Sequence, residues 1–596
     1  MPPTTLPRAK KGQKAMLETT SETYVVSRCA HPIKLNLMLD YQYQDYVGLI
    51  EKTIKEHWNM NALTDFKGQT CQYKDVARKI EKLHILFEKA GVQPGDKIAI
   101  CGRNSVHWAV SFLATITYGA IVVPILHEFK AEQVHNIVNH SDARLLFAGD
   151  VVWPTLDAEA MPGLEGIVHL PDFSLCISRS EALTDARAHL NEYFGKKYPE
   201  RFTADDVKYL AQPDGEALAM INYTSGSTGN SKGVLIPFRA LWSNYDFAVE
   251  VIGQYCPPGG RLVSMLPMAH MYGMAFEFLF EFIYGIHIHY LTRVPSPKVI
   301  IQAFAEVKPC IVIAVPLIIE KIIKKNVLPK VQTHTMKMLL RTPVLKGKIL
   351  EKIRTQIQNV FGGQFYEVIM GGAGLNPEVE EFLHKIGFNY TVGYGSTECA
   401  PIMSYEAWDK FAKGSCGKVA PRMEARINSN DPYSVPGEIL MRGANVMLGY
   451  YKNPEATAQT IDKDGWYHTG DIGVFDHEGN LYIRGRCKNM LLGSNDQNIY
   501  PEEIEDKLNS LIYVQESIVI QKGEKLYALI YPDWDAMQAA GLTNKDIQTQ
   551  MENNIRELNT MINKYEQVMG YRLYKEEFEK TPKKSIKRFL YEDAEV

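Results

Sequence analysis

From about residue 95 the chain alternates short apolar runs with helical patterns, and this alternation limits the fold more than any other feature. "DKIAIC" reads as a strand, "WAVSFLATITYG" as a helix, "AIVVPI" as a strand, "EQVHNIVNH" as a helix and "RLLFAG" as a strand. Such βαβ grammar implies a parallel sheet covered by helices. It returns in "LAMINYTSG", "RLVSMLPM", "CIVIAVPLIIEKIIKK" and "YEVIMGGAGLNPEVEEFLHKI". Residues 45 to about 420 therefore read as a large α/β body of two related sheets.

With 596 residues the chain is too long for one core, so at least two domains are expected. After residue 430 the texture changes to short strands and turns, "GEILMRG" and "GVFDHEGNLYIRGR". A smaller unit follows the boundary at residues 485–490. In it "YPEEIEDKLNS" reads as a helix start, with Pro501 in the first turn and Glu502 and Glu503 at the N-terminus. Two strands, "QESIVIQ" and "KLYALIYP", and a long polar helix over about 544–565 complete an α+β module.

Composition excludes several classes. A net charge of −4 offers no bulk attraction to nucleic acid. Nine scattered cysteines, with no CxxC pair or His-spaced cluster, point to a reducing compartment and away from a disulfide framework or structural zinc. No run of eighteen apolar residues occurs. The nearest, residues 268–291, carries Glu277 and Glu281 and reads as a buried helix and strand lining a greasy pocket. No apolar segment follows the basic N-terminal residues, so no secretory signal is expected. Residues 1–44 read as a poorly ordered leader, and the chain as cytoplasmic.

The stretch "NYTSGSTGNSKGV", residues 222–234, has the composition of a phosphate-binding loop. Its backbone N–H groups and the hydroxyls of Thr224, Ser225, Ser227 and Thr228 can donate to phosphate oxygens. Gly226 and Gly229 allow close approach, and Lys232 adds charge. The glycines are three apart and Gly233 follows the lysine, so this is not the common NTPase loop. In "TVGYGSTECAPI", a strand ending at Tyr394 and Gly395 would present Thr397 and Glu398 at its carboxyl edge, where open α/β sheets bind ligands. A carboxylate beside polyphosphate suggests a Mg²⁺ ligand. Tyr394 has the shape to cover a nucleobase. "GWYHTGDIG" places Asp471 between two glycines in a tight turn, where its carboxylate can accept from both ribose hydroxyls.

In this order and spacing, "YTSGSTGNSKG", "MGGAGL", "GYGSTE", "GEILMRGANVMLGYYKNPEAT", "GWYHTGD", "GRCKNM", "IYPEEIE" and "KTPKKSIKR" resemble the adenylate-forming superfamily over residues 45–592. "LPMAHMYG" and "NMLLGSNDQNIYPEEIE" are most similar to bacterial long-chain fatty-acid–CoA ligases. The resemblance implies a fold as well: an α/β N-terminal domain, residues 45–486, of parallel-rich sheets covered by helices plus a small β-barrel-like region. A smaller mobile α+β lid domain, residues 487–596, would complete it.

It also implies a reaction. A fatty-acid carboxylate attacks the α-phosphate of ATP, giving acyl-adenylate and pyrophosphate, and coenzyme A then displaces AMP. By the resemblance, residues 224–232 grip the phosphates, and Gly372, Ala373 and Gly374 lie along the adenine on which Tyr394 stacks. Gly395 and Ser396 belong to the same nucleotide-binding stretch. Thr397 contacts the α-phosphate, Glu398 holds Mg²⁺, Asp471 and Arg486 hold the ribose, and Lys488 is the hinge. His270 stands beside the acyl carboxylate. A homodimer and loose membrane association are compatible with it.

Three positions depart from the family pattern. Ser231 replaces a proline. Asp496 replaces a glycine on the pantetheine path, which keeps open a carrier-protein phosphopantetheine as acceptor. Ser585 stands where the catalytic lysine is expected, which nominates the adjacent Lys584 and keeps open a catalytically impaired nucleotide- or lipid-binding relative.

Overall fold

The computed structural model describes residues 41–224, 231–292, 296–326, 343–492, 498–580 and 586–596. Its largest element is an eight-stranded sheet. The strand order is Gly449–Tyr450, Lys232–Pro237, Leu218–Thr224, Ile121–Ile125, Lys97–Cys101, Ala143–Ala148, Gly166–His169, Leu175–Ser178. The five strands from Leu218–Thr224 to Gly166–His169 run parallel, and antiparallel strands close both edges. Four of the five residues of Lys97–Cys101 are buried, as a strand covered on both faces requires. The following helix, Val106–Tyr118, starts where Ser105 Oγ accepts from the Trp108 N–H at 3.2 Å, and packs Trp108 and Phe112 into the core.

Beside this sheet stand two more, and with the small antiparallel sheet of Tyr394–Gly395, Ile402–Tyr405 and Lys418–Val419 the body to residue 420 holds four described sheets rather than the two expected. Arg261–Ser264, His287–Tyr290, Asn61–Asp65 and Thr70–Gln72 form one. Val312–Ala314, Val368–Met370 and Tyr390–Val392 form an all-parallel other. The first of these draws in Asn61–Asp65, which pairs with His287–Tyr290 far along the chain, and no local pattern announces that contact. The antiparallel texture also begins earlier than residue 430. Tyr394–Gly395 already pairs antiparallel with Ile402–Tyr405. A four-stranded antiparallel sheet of Met423–Asn428, Gly437–Gly443, Tyr467–Phe475 and Leu481–Arg486 follows.

The apolar stretch over 268–291 is a helix from Met271 to Tyr284, interrupted by a π-turn at Ala275–Leu279, and then the strand His287–Tyr290. Glu277 and Glu281 are both fully buried. Glu277 Oε2 accepts from the Leu266 and Met265 N–H groups at 2.8 and 3.0 Å and from Ser264 Oγ at 3.1 Å. Burial pushes both carboxyls well above the usual carboxylate range. No helix among the described residues is long and apolar enough to cross a membrane.

The expected absence of a disulfide framework meets one exception, a bonded Cys256–Cys310 pair. Each cysteine lies in the loop that feeds a strand, Arg261–Ser264 or Val312–Ala314, and the two loops meet at one end of the body.

Residues 498–580 and 586–596 are built on a core of their own, with Ile504, Leu508, Val519, Ala528, Met551 and Leu558 inside. Helix Pro501–Asn509 and strands Val514–Lys522 and Lys525–Pro532 appear where expected. The long helix, Asn544–Met561, is capped by a reciprocal Thr543–Asp546 pair and stops short of residue 565, where Ile562 turns extended. A third strand, Val568–Leu573, runs parallel to Lys525–Pro532. Its glycine and arginine hide it from a hydrophobicity reading. Of the expected leader, residues 1–40 lie outside the described residues, while Tyr41 and Tyr43 pack against Trp242.

Candidate active site

The phosphate-loop stretch joins two antiparallel strands. Thr224 ends one and Lys232 begins the next, opposite each other across the pair. Ser225, Gly226, Ser227, Thr228 and Gly229 lie outside the described residues. Lys232 is exposed, and its Nζ sits 4.7 Å from the centroid of the Tyr450 ring.

The "GYGSTE" segment leaves the parallel strand Tyr390–Val392 at its carboxyl end and steps into another sheet at Tyr394–Gly395. A side chain at Gly395 would put its Cβ 2.3 Å from the Pro401 carbonyl oxygen, so only glycine fits this crossing. Ser396 then leads into a short 3₁₀ turn, Thr397–Cys399. Thr397 is buried and Glu398 half-buried. Glu398 Oε1 accepts from the Tyr450 hydroxyl at 3.0 Å. Ser396 Oγ meets the Tyr467 hydroxyl at 3.3 Å.

Asp471 sits in strand Tyr467–Phe475, paired with Arg486, rather than in a tight turn. Asp471 pairs on one side only, because the register with Gly437–Gly443 shifts past Thr469–Asp471, where Gly470 has φ 70°. The Tyr394 hydroxyl donates to Asp471 Oδ2 at 2.6 Å, and Arg486 Nε lies 3.1 Å from Oδ1. Burial raises the Asp471 carboxyl, while the guanidinium and the phenol work against that shift. Lys488 follows directly in the turn Cys487–Asn489, where burial pushes its ammonium down.

The turn after strand Val368–Met370 carries Gly372, Ala373 and Gly374, all exposed. Gly372 has φ 85°, a conformation that favours glycine, and a Cβ at Gly372 or Gly374 would meet nothing within 4 Å. The turn therefore borders open space that a flat ligand can enter. Behind it the Tyr272 hydroxyl donates to the Ile369 carbonyl at 3.0 Å. His270 caps the helix that starts at Met271, its Nδ1 accepting from the Tyr272 N–H at 3.2 Å. That capping role is not legible in the sequence.

Two clusters result. Tyr394, Asp471 and Arg486 form one, and Lys232, Tyr450 and Glu398 the other. Glu398 acts electrostatically on Asp471, so the clusters are neighbours. Tyr450, within "GYYKNPEAT", has no functional role that the sequence announces. Lys584, Ser585 and Asp496 lie outside the described residues. The donor set fits a nucleotide and a hard divalent cation: hydroxyls, a lysine and one carboxylate with an oxygen to spare. Magnesium on a polyphosphate needs only one or two carboxylates besides phosphate and water. Among the described residues no cluster of three or more His, Cys, Asp or Glu forms a separate metal cage.

The sequence profile of the family described as AMP-binding enzyme matches residues 50–451, and that of the AMP-binding enzyme C-terminal domain matches residues 488–594. The long-chain-fatty-acid–CoA ligase FadD15 of Mycobacterium bovis is 25% identical over 566 residues, covering 87% of this chain and 89% of its own. A long-chain-fatty-acid–CoA ligase of Escherichia coli O157:H7 is 26% identical over 500 residues, with 80% and 82% covered. Among solved structures, ATP-bound MatB from Rhodopseudomonas palustris superposes with a TM-score of 0.70 at 21% identity, covering 92% of this chain and 99% of that one. The o-succinylbenzoate coenzyme A synthetase of Bacillus subtilis in complex with AMP gives 0.70 at 18% identity, covering 92% and 98%.

Proposed function

Because the chain belongs to the AMP-binding enzyme family of adenylate-forming ligases, we propose that it activates a medium- or long-chain fatty acid with ATP. Acyl-adenylate and pyrophosphate are the first products, and transfer to coenzyme A then gives acyl-CoA and AMP. The observation that carries this reading is the meeting of the two clusters, Tyr394–Asp471–Arg486 and Lys232–Tyr450–Glu398, at the carboxyl edge of one strand. The long-chain relatives support the choice of acid.

In this reading residues 224–232 hold the phosphates, and Gly372, Ala373 and Gly374 border the adenine with Tyr394. Asp471 and Arg486 take the ribose hydroxyls. Thr397 orients the α-phosphate, and His270 stands beside the acyl carboxylate. Glu398 holds Mg²⁺, which would offset the repulsion between two anions and align them. Lys584 supplies the bridging charge from the C-terminal domain, residues 487–596, which turns about Lys488. The second half-reaction needs different groups at the same carbonyl, and such a turn brings them in.

The test is pyrophosphate release from ATP and Mg²⁺ across fatty acids of increasing length, with and without coenzyme A. Acid-dependent release with AMP as product supports the reading, and ADP as product overturns it. Coenzyme A and a phosphopantetheinylated carrier protein are then compared as acceptors of labelled acyl group.

A further inference from the structure

Lys232 and Glu398 are an exposed cation and a half-buried carboxylate of one site, yet among the described residues they form no ion pair with each other. Opposite charges left to themselves in one site would attract each other. That pairing would occupy the charges that phosphate and metal require. Tyr450 stands between them, touching the lysine with its ring and the carboxylate with its hydroxyl.

Its own position is fixed. Gly449–Tyr450 is the edge strand of the eight-stranded sheet, with Tyr450 opposite Val234, two residues beyond Lys232. The Leu448 and Tyr451 N–H groups donate to Leu235 and Gly233 carbonyls at 2.9 and 2.7 Å. The Met447 N–H donates to the Glu398 carbonyl at 2.8 Å. One short segment thus ties the exit of the phosphate loop to the turn that carries Glu398. The Tyr450 N–H donates to Thr457 Oγ1 at 2.9 Å, and only 7% of the residue is exposed.

We propose that Tyr450 is a positioning residue that holds Glu398 for the metal and Lys232 for phosphate while keeping the two apart. This rests on the reading of Glu398 as the metal-facing carboxylate. The hydroxyl engages only one carboxylate oxygen, so the other stays available. The lysine is held by a cation–π contact, strong enough to park it and weak enough to yield it to a phosphate. A carboxylate in place of Tyr450 would trap Lys232, and an aliphatic residue would free both groups to pair.

The experiment measures Mn²⁺ binding by electron paramagnetic resonance, using the full chain and a non-hydrolysable ATP analogue without any acid. Tyr450→Phe keeps the ring and should weaken Mn²⁺ by about tenfold, as loss of an outer partner of a metal ligand does. Its affinity for the metal-free analogue should stay within about twofold of the unsubstituted chain. Tyr450→Leu should weaken metal and analogue together, with its melting midpoint checked beside that of Tyr450→Phe. In turnover, added Mg²⁺ should restore Tyr450→Phe and leave Tyr450→Leu low. Unchanged Mn²⁺ affinity in Tyr450→Phe, or no Mn²⁺ binding by the unsubstituted chain, overturns the proposal. Because no acid is present, the metal arm reads out even where the assigned reaction fails.

Discussion

The Tyr394 hydroxyl donates to the Asp471 carboxylate at 2.6 Å, with Arg486 on the carboxylate's other oxygen at 3.1 Å. Residues from two different sheets therefore meet in a single charge-assisted cluster. The carboxylate is thereby oriented in advance for the ribose contact proposed for it, because neither partner leaves it free to rotate.

Asp471→Asn should raise the KM for ATP by about tenfold or more, since a hydrogen bond to a charged group contributes about 1.5–3 kcal/mol. The limiting rate should change less, because the ribose is bound alike before and during the reaction. Steady-state pyrophosphate release over a range of ATP concentrations checks this. A pure rate loss at constant KM would speak against a ribose contact.

Glu398→Gln should lower pyrophosphate release by about a hundredfold at low Mg²⁺ and recover in part as Mg²⁺ is raised. A loss that no concentration of Mg²⁺ alters would take the metal away from this carboxylate.

Gly395→Ala should cost both stability and activity. The new Cβ would lie 2.3 Å from the Pro401 carbonyl, so the crossing that carries Thr397 and Glu398 has to shift. A melting midpoint several degrees lower, with adenylation reduced more than ATP binding, is the expected pair of readings.

The pH dependence of stability should contain a term from Glu367. It is fully buried, and burial raises its carboxyl to about 7 although Tyr405 and the Trp408 N–H donate to it. Its folded-state pKa lies above the unfolded value, so the folded chain holds the proton more tightly. Stability from this group is therefore present below the ordinary carboxylate pKa and falls as pH rises toward 7, by an amount on the order of a few kcal/mol. Glu367→Gln should flatten that fall in melting curves between pH 5 and 7.5. Parallel curves for the two proteins would show that Glu367 ionises at its ordinary pH.

Lys584→Ala should suppress acyl-adenylate formation while leaving ATP binding largely intact. This rests on sequence alone, on Ser585 occupying the expected lysine position. An unchanged rate of pyrophosphate release removes Lys584 from the chemistry.

Much of the site is legible in the sequence because its parts are short and local. Thr397 and Glu398 sit in one turn, and Asp471 and Arg486 lie in short contiguous motifs with polar side chains that a strand end would not otherwise gather. Tyr450 escaped notice because its contacts run to Glu398 and Lys232, both distant in sequence. The helix cap made by His270 escaped too, since capping depends on where the backbone turns and not on the residue alone.

The alternation of strands and helices, the polar loop after "LAMI" and the family of the chain were determined by the sequence itself, because period, turn chemistry and motif order act over a few residues at a time. Only the tertiary structure decided that four sheets share the body, that Asn61–Asp65 pairs with His287–Tyr290, and that Tyr394 reaches Asp471. Those are long-range choices, made by which buried surfaces and hydrogen-bonding edges fit together once the local elements exist.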